Sequence, residues 1–96
     1  MEELTLQEEY LIDAVCLFHA KFKSVEPSAV EVELGYEDDL GYFADAYIGS
    51  DVTHYASAQF LTAIRLFIDQ QLNRDSMSAR IQFDIDDSGM VAHIEF

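Results

Sequence analysis

The hydrophobic positions of this chain follow two periods, one after the other, and the succession occurs twice. Leu11, Ala14, Val15, Phe18 and Phe22 recur at the spacing that lines one stripe of an α-helix. Ahead of them Thr5-Leu6-Gln7-Glu8 has the spacing of a capping box with Thr5 as N-cap. Lys21 and Lys23 suit the negative end of the helix dipole, and Pro27 marks the point by which the helix has stopped. From Val30 the period becomes two. Val30, Val32, Leu34 and Tyr36 alternate with Glu31, Glu33, Gly35 and Glu37, the pattern of a strand with one buried face. A turn at 37–41 leads into a returning strand, with Tyr42, Ala44, Ala46 and Ile48 inward and Phe43, Asp45 and Tyr47 outward. Gly49-Ser50-Asp51 turns the chain again, into a short third strand over 52–56.

The second passage repeats the first. Ser57 is placed to cap a helix whose main stripe is Phe60, Ala63, Ile64 and Phe67, flanked by Leu61, Ile68 and Leu72. Ala79, Ile81, Phe83 and Ile85 then alternate with Arg80, Gln82, Asp84 and Asp86. Asp87-Ser88-Gly89 turns into Met90, Ala92, Ile94 and Phe96, opposed by Val91, His93 and Glu95. Sliding the chain by 49 positions lays Ala14 on Ala63, Phe18 on Phe67, Val32 on Ile81 and Asp38 on Asp87; skipping Leu40 continues with Gly41 on Gly89 and Ala44 on Ala92. The expected fold is one α+β domain over 1–96. It is a two-layer sandwich with two helices on one face of a four- to five-stranded, mainly antiparallel sheet, in the order αββ(β)αββ. Segments 5–48 and 57–96 are its expected internal repeats.

The hairpins predict their own registers. Tyr36 opposite Tyr42 sets Gly35 against Phe43, Glu33 against Asp45 and Glu31 against Tyr47. Ile85 opposite Met90 pairs Asp84 with Val91, Gln82 with His93 and Arg80 with Glu95. Glu33 facing Asp45 is a like-charge pair and costs stability, the one local conflict in a consistent pattern. Such conflicts concentrate at functional sites. Glu31, Glu33, Phe43, Asp45 and Tyr47 are therefore the candidate partner-binding surface, on the sheet face away from the helices.

Composition narrows the partner. Nineteen Asp and Glu against five Lys and Arg give a net charge of −14, which excludes direct binding to nucleic acid and disfavours an anionic membrane. Half the residues are hydrophobic, so the charge does not signal disorder. One cysteine, Cys16, allows no internal disulfide, and no apolar run is long enough to cross a bilayer; a cytoplasmic protein is expected. The αβββα order of the first part resembles a double-stranded-RNA-binding domain, but Ser57-Ala58-Gln59 stands where that fold needs basic residues.

Asp84-Ile85-Asp86-Asp87-Ser88-Gly89, with Glu95 beyond, has the spacing of an EF-hand calcium loop, so Asp84, Asp86, Ser88 and Glu95 form a metal-binding alternative. Both flanks alternate with period two where an EF-hand needs helices, and a hairpin turn accounts for Asp87-Ser88-Gly89 without an ion. His19, His54 and His93 fall on separate elements, with no zinc spacing, phosphate loop or nucleophile elbow near them. No catalytic residue, metal or cofactor is expected.

The run Ala29 to Gly41, followed by the helix segment Phe60-Leu61-Thr62-Ala63-Ile64-Arg65-Leu66, resembles the YxcD-like family, small acidic proteins of Bacillus relatives. The shared features are strand and helix patterns, so the resemblance implies a fold and carries no site residue. The expected function is that of a non-catalytic acidic interaction module, docking a basic protein or a second copy as a homodimer, with Leu17, Leu61 and Leu72 at the helix edges suiting the latter. A divalent-cation binder and a DNA-mimic inhibitor are the alternatives.

Overall fold

Glu8 and Glu9 place negative charge at the start of the first helix and Lys21 and Lys23 place positive charge at its end, both favourable to the dipole. In the computed structural model, which describes residues 2–96, this helix is α1 (Glu8–Lys23). It stops at Ser24, which adopts a left-handed conformation at φ 58°, and the Val25 amide closes the end by donating to Ala20 O at 2.9 Å. Leu11, Ala14, Val15, His19 and Ala20 are buried. Phe22, expected on the same stripe, is exposed in the last turn, with Lys23 Nζ 5.3 Å from its ring centre.

The remaining elements are β1 (Glu3–Leu6), β2 (Glu31–Glu37), β3 (Gly41–Ile48), β4 (Asp51–Tyr55), α2 (Ser57–Gln71), β5 (Arg80–Asp86) and β6 (Gly89–Glu95). A 3-10 turn precedes β2 at Pro27–Ala29 and another precedes β5 at Ser76–Ser78. Among the described residues six strands therefore replace the four or five expected, and they form two three-stranded antiparallel sheets, β1-β6-β5 and β2-β3-β4, instead of one. The unexpected strand is β1. Thr5 is not a helix cap: it lies in β1 opposite His93, and the true N-cap, Gln7, makes no side-chain cap bond. Ser57 is likewise the first residue inside α2. Ala56 is the N-cap, its amide donating to Gln59 Oε1 at 2.9 Å, while the Ser57 hydroxyl donates to Tyr42 O.

Both hairpin registers stand as derived. The expected short third strand is β4, paired with β3. With β1 included, each half runs strand, helix, 3-10 turn, strand, strand, and each sheet takes one strand from one half and two from the other. The edge pairings correspond as well. Leu4 faces Ile94; Thr53, which is 49 positions after Leu4, faces Ala46, which is 48 positions before Ile94. The one-residue difference is the extra residue in the first hairpin turn: 38–40 connect β2 to β3, whereas 87–88 connect β5 to β6.

α1 and α2 pack on each other, α1 also against β2, β3 and β6 and α2 against β3 and β4. Ala44, Ala46 and Ala92 on the central strands are fully covered, small side chains that let the helices approach. Phe60, Leu11, Ile64 and Ile68 fill the space between, each contributing roughly 1.5–3 kcal/mol by leaving water. The sheets meet through Tyr42 of β3, stacked on Phe83 of β5 with ring centres 5.2 Å apart; Phe83 in turn lies 4.7 Å from Phe60. Tyr36 and Ile85, read as core residues, are about half exposed, being the last inward positions before the two turns.

Candidate functional site

Strand parity puts Glu31, Glu33, Phe43, Asp45 and Tyr47 on the face of β2-β3-β4 opposite the buried Ala44 and Ala46. All five predicted surface residues thus share one face, in the predicted register. Phe43 covers Gly35 so closely that a Cβ there would collide with its ring. That is why the strand carries glycine at this point. Glu33 is exposed beside Asp45, and the Tyr47 hydroxyl donates to Glu33 Oε2 at 3.5 Å. The Tyr47 phenol is pushed above its ordinary range, first by desolvation and then by the Glu33 and Asp45 charges, so it stays a neutral donor at physiological pH. Glu31 lies directly across from Tyr47.

One member of this face was absent from the sequence reading. His54 of β4 pairs with Asp45, its Nδ1 2.7 Å from Asp45 Oδ1, and its ring centre lies 5.1 Å from that of Phe43. Asp45 therefore sits between Glu33 on one side and His54 on the other, and the imidazole offsets part of the like-charge conflict. The signal was the short third strand: once β4 pairs with β3, parity sends Val52 and His54 outward.

The outer face of β1-β6-β5 carries the second candidate set. His93 lies between Thr5 and Gln82; its Nδ1 is 3.2 Å from Thr5 Oγ1 and its Nε2 is 3.7 Å from Asp84 Oδ2. These groups border an open depression of about 300 Å³. The calcium-loop spacing is not brought together. Asp86 pairs with Gly89 at the turn and Glu95 pairs with Arg80 at the far end of the hairpin, six residues and roughly 20 Å along the strand. An EF-hand needs both at one ion. Asp86 instead accepts from the Ser88 amide at 2.8 Å and the Ser88 hydroxyl at 2.6 Å, which lowers its carboxyl below the usual range. No group of three or more potential metal ligands occurs among the described residues. No helix among them is long and apolar enough to cross a membrane.

The remaining polar features are structural. His19, on α1, is fully buried with Nδ1 2.6 Å from the Tyr55 hydroxyl. Arg74 makes a two-pronged pair with Glu2, at 2.9 and 2.7 Å, and lies over Phe96. Asp69 accepts from the amide and the hydroxyl of Ser76 at 2.9 Å each, fixing the start of the second 3-10 turn.

Comparison with known proteins agrees with the resemblance seen in the sequence. The chain is 30% identical to the uncharacterized protein YxcD of Bacillus subtilis (strain 168) over 84 residues, covering 84% of this chain and 82% of that one. No solved structure matches it significantly. Residues 1–88 match the model of a family described as a protein of unknown function, DUF2653, and the chain belongs to that family.

Proposed function

We propose that the protein is a non-catalytic interaction module and that the outer face of β2-β3-β4 docks a basic segment of a partner protein. The observation that carries this reading is the direct opposition of Glu33 and Asp45 between Phe43 and Tyr47. Two carboxylates held side by side lower the stability of the sheet, and a Lys or Arg side chain placed between them removes that cost. The flanking rings supply faces on which a cationic side chain rests. The net charge of −14 attracts such a partner over a distance and opposes pairing with another acidic copy. We also propose that the shared order and register of the two halves arose by duplication, which frees one face to acquire this chemistry while the other keeps the fold.

The test is a titration of isotope-labelled protein with a short Lys/Arg peptide, followed by amide chemical shifts. Changes centred on Glu33, Phe43, Asp45, Tyr47 and His54 are expected, lost in Glu33→Lys plus Asp45→Lys. The charge-matched control Glu9→Lys plus Asp87→Lys retains them. An equal loss in both double variants would reduce the effect to net charge and end the docking proposal. A dimer mass by light scattering that falls to monomer only in the first variant would assign the face to a second copy instead.

A further inference from the structure

Cys16 on α1 and Arg65 on α2 occupy equivalent positions, 49 residues apart, each reaching toward the 3-10 turn that leads into the next strand. Arg65 Nη1 donates to the carbonyl of Ser76 and, at 3.1 Å, to that of Ala79. Their counterparts in the first half are the carbonyls of Pro27 and Val30, and the two turns are built alike. The Val30 amide donates to Pro27 O at 3.0 Å as the Ala79 amide donates to Ser76 O at 3.2 Å. Cys16 is too short to do what Arg65 does. Its thiol donates to Val30 O, at 3.6 Å. Beside Cys16 and Pro27, where the first half has no guanidinium, lies a groove of about 520 Å³ bordered also by Tyr10, Asp13, Leu17, Phe67 and Leu72.

We propose that this groove receives an arginine side chain from a partner polypeptide, its guanidinium donating to the carbonyls of Pro27 and Val30 as that of Arg65 donates to Ser76 and Ala79. Three features favour this occupant. No Lys or Arg borders the groove, and Asp13 supplies a carboxylate. Leu17, Phe67 and Leu72 offer an apolar wall for the methylene stem, and Tyr10 a ring for the guanidinium plane. A guanidinium presents several coplanar donors and can serve two carbonyls and a carboxylate together, whereas an ammonium is a compact point charge. A free arginine would bring its own carboxylate to a protein of net charge −14, whereas a chain-borne side chain brings only the cation. The groove lies on the helices and its occupancy does not depend on the sheet-face proposal.

The test is a titration of isotope-labelled protein with N-acetyl-arginine amide and, separately, N-acetyl-lysine amide. Saturable shifts at Asp13, Cys16, Leu17 and Leu72 are expected with arginine. Lysine binds about tenfold more weakly, the equivalent of one charge-assisted hydrogen bond. Cys16→Arg supplies the guanidinium within the chain; its melting temperature rises and its response to the arginine amide disappears. Should that variant fail to fold, Asp13→Asn decides the matter by weakening the arginine response severalfold in a folded protein. Equal responses to the two amides, shifts centred on Glu33 and Asp45, or an unaltered response in Asp13→Asn would each overturn the proposal.

Discussion

Thr5, His93 and Gln82 form across one outer sheet face the row that His54, Asp45 and Glu33 form across the other. The central strand carries a histidine in the first case and a carboxylate in the second. The inner faces diverge less: Ala92 and Ile94 stand where Ala44 and Ala46 do, and all four are buried. A shared backbone register thus demands apolar residues on one side and leaves the other side free to differ. Among the described residues the acidic–aromatic cluster occurs on β2-β3-β4 and not on the other sheet. Since the second half achieves the same fold without opposing carboxylates, Glu33 facing Asp45 is not required by the architecture.

The largest effect separating the halves is expected at the helix positions against the sheets. Phe60 and Leu11 are equivalent and both fully buried, but only Phe60 joins the ring stack that ties the two sheets together. Phe60→Ala should lower unfolding free energy by about 3–5 kcal/mol and Leu11→Ala by less, measured by urea denaturation. Equal losses would mean that the ring stack adds nothing to the joint between halves. Next is Arg65. Removing its guanidinium leaves part-buried carbonyls without a donor, so Arg65→Ala should cost about 2 kcal/mol, while Cys16→Ala at the equivalent position costs under about 1 kcal/mol.

The third comparison lies in the core. The pair His19 of α1 and Tyr55 of β4 corresponds, with the halves exchanged, to the pair Ile68 of α2 and Leu6 of β1, and all four are buried. Burial, and secondarily the Lys23 charge, holds the His19 imidazole below its ordinary pKa of 6.5. The unfolded chain therefore takes up a proton that the folded chain resists. This histidine's contribution is complete above its unfolded value and is lost as pH falls from there toward the folded value. Importing the residues of the equivalent pair, His19→Ile plus Tyr55→Leu, should remove that portion of the pH dependence. The midpoint of urea unfolding should then fall less in the variant than in the parent on acidification from about pH 7 to about pH 5.5. An identical fall in both would show that His19 does not contribute.

The sequence announced those features that depend on local order. Both helices, both hairpins and every cross-strand pair derived from them were legible, because a period of two fixes which residues face inward and a tight turn fixes register. What failed involved distance along the chain. β1 is four residues long and gains its identity from β6, 88 positions away at the Thr5–His93 contact. Its Thr5, together with Glu8 of α1, happened to match a capping box. Periodicity likewise specifies the buried side of a strand but not the neighbour on its other edge, so one sheet was expected where two occur. His54 was missed for a related reason: its importance appears only after β4 is laid against β3. The Cys16–Arg65 correspondence was readable from the 49-residue shift, but its meaning required the carbonyls that Arg65 meets.

The most direct measurement is the stability and peptide response of Glu33→Gln, which gives the first half the residue that the second half carries at Gln82. If the carboxylate pair is held for a partner at the expense of the sheet, unfolding free energy rises by about 0.2–1 kcal/mol and the response to the basic peptide weakens. A variant that is less stable than the parent, or that binds the peptide as well, would contradict the account.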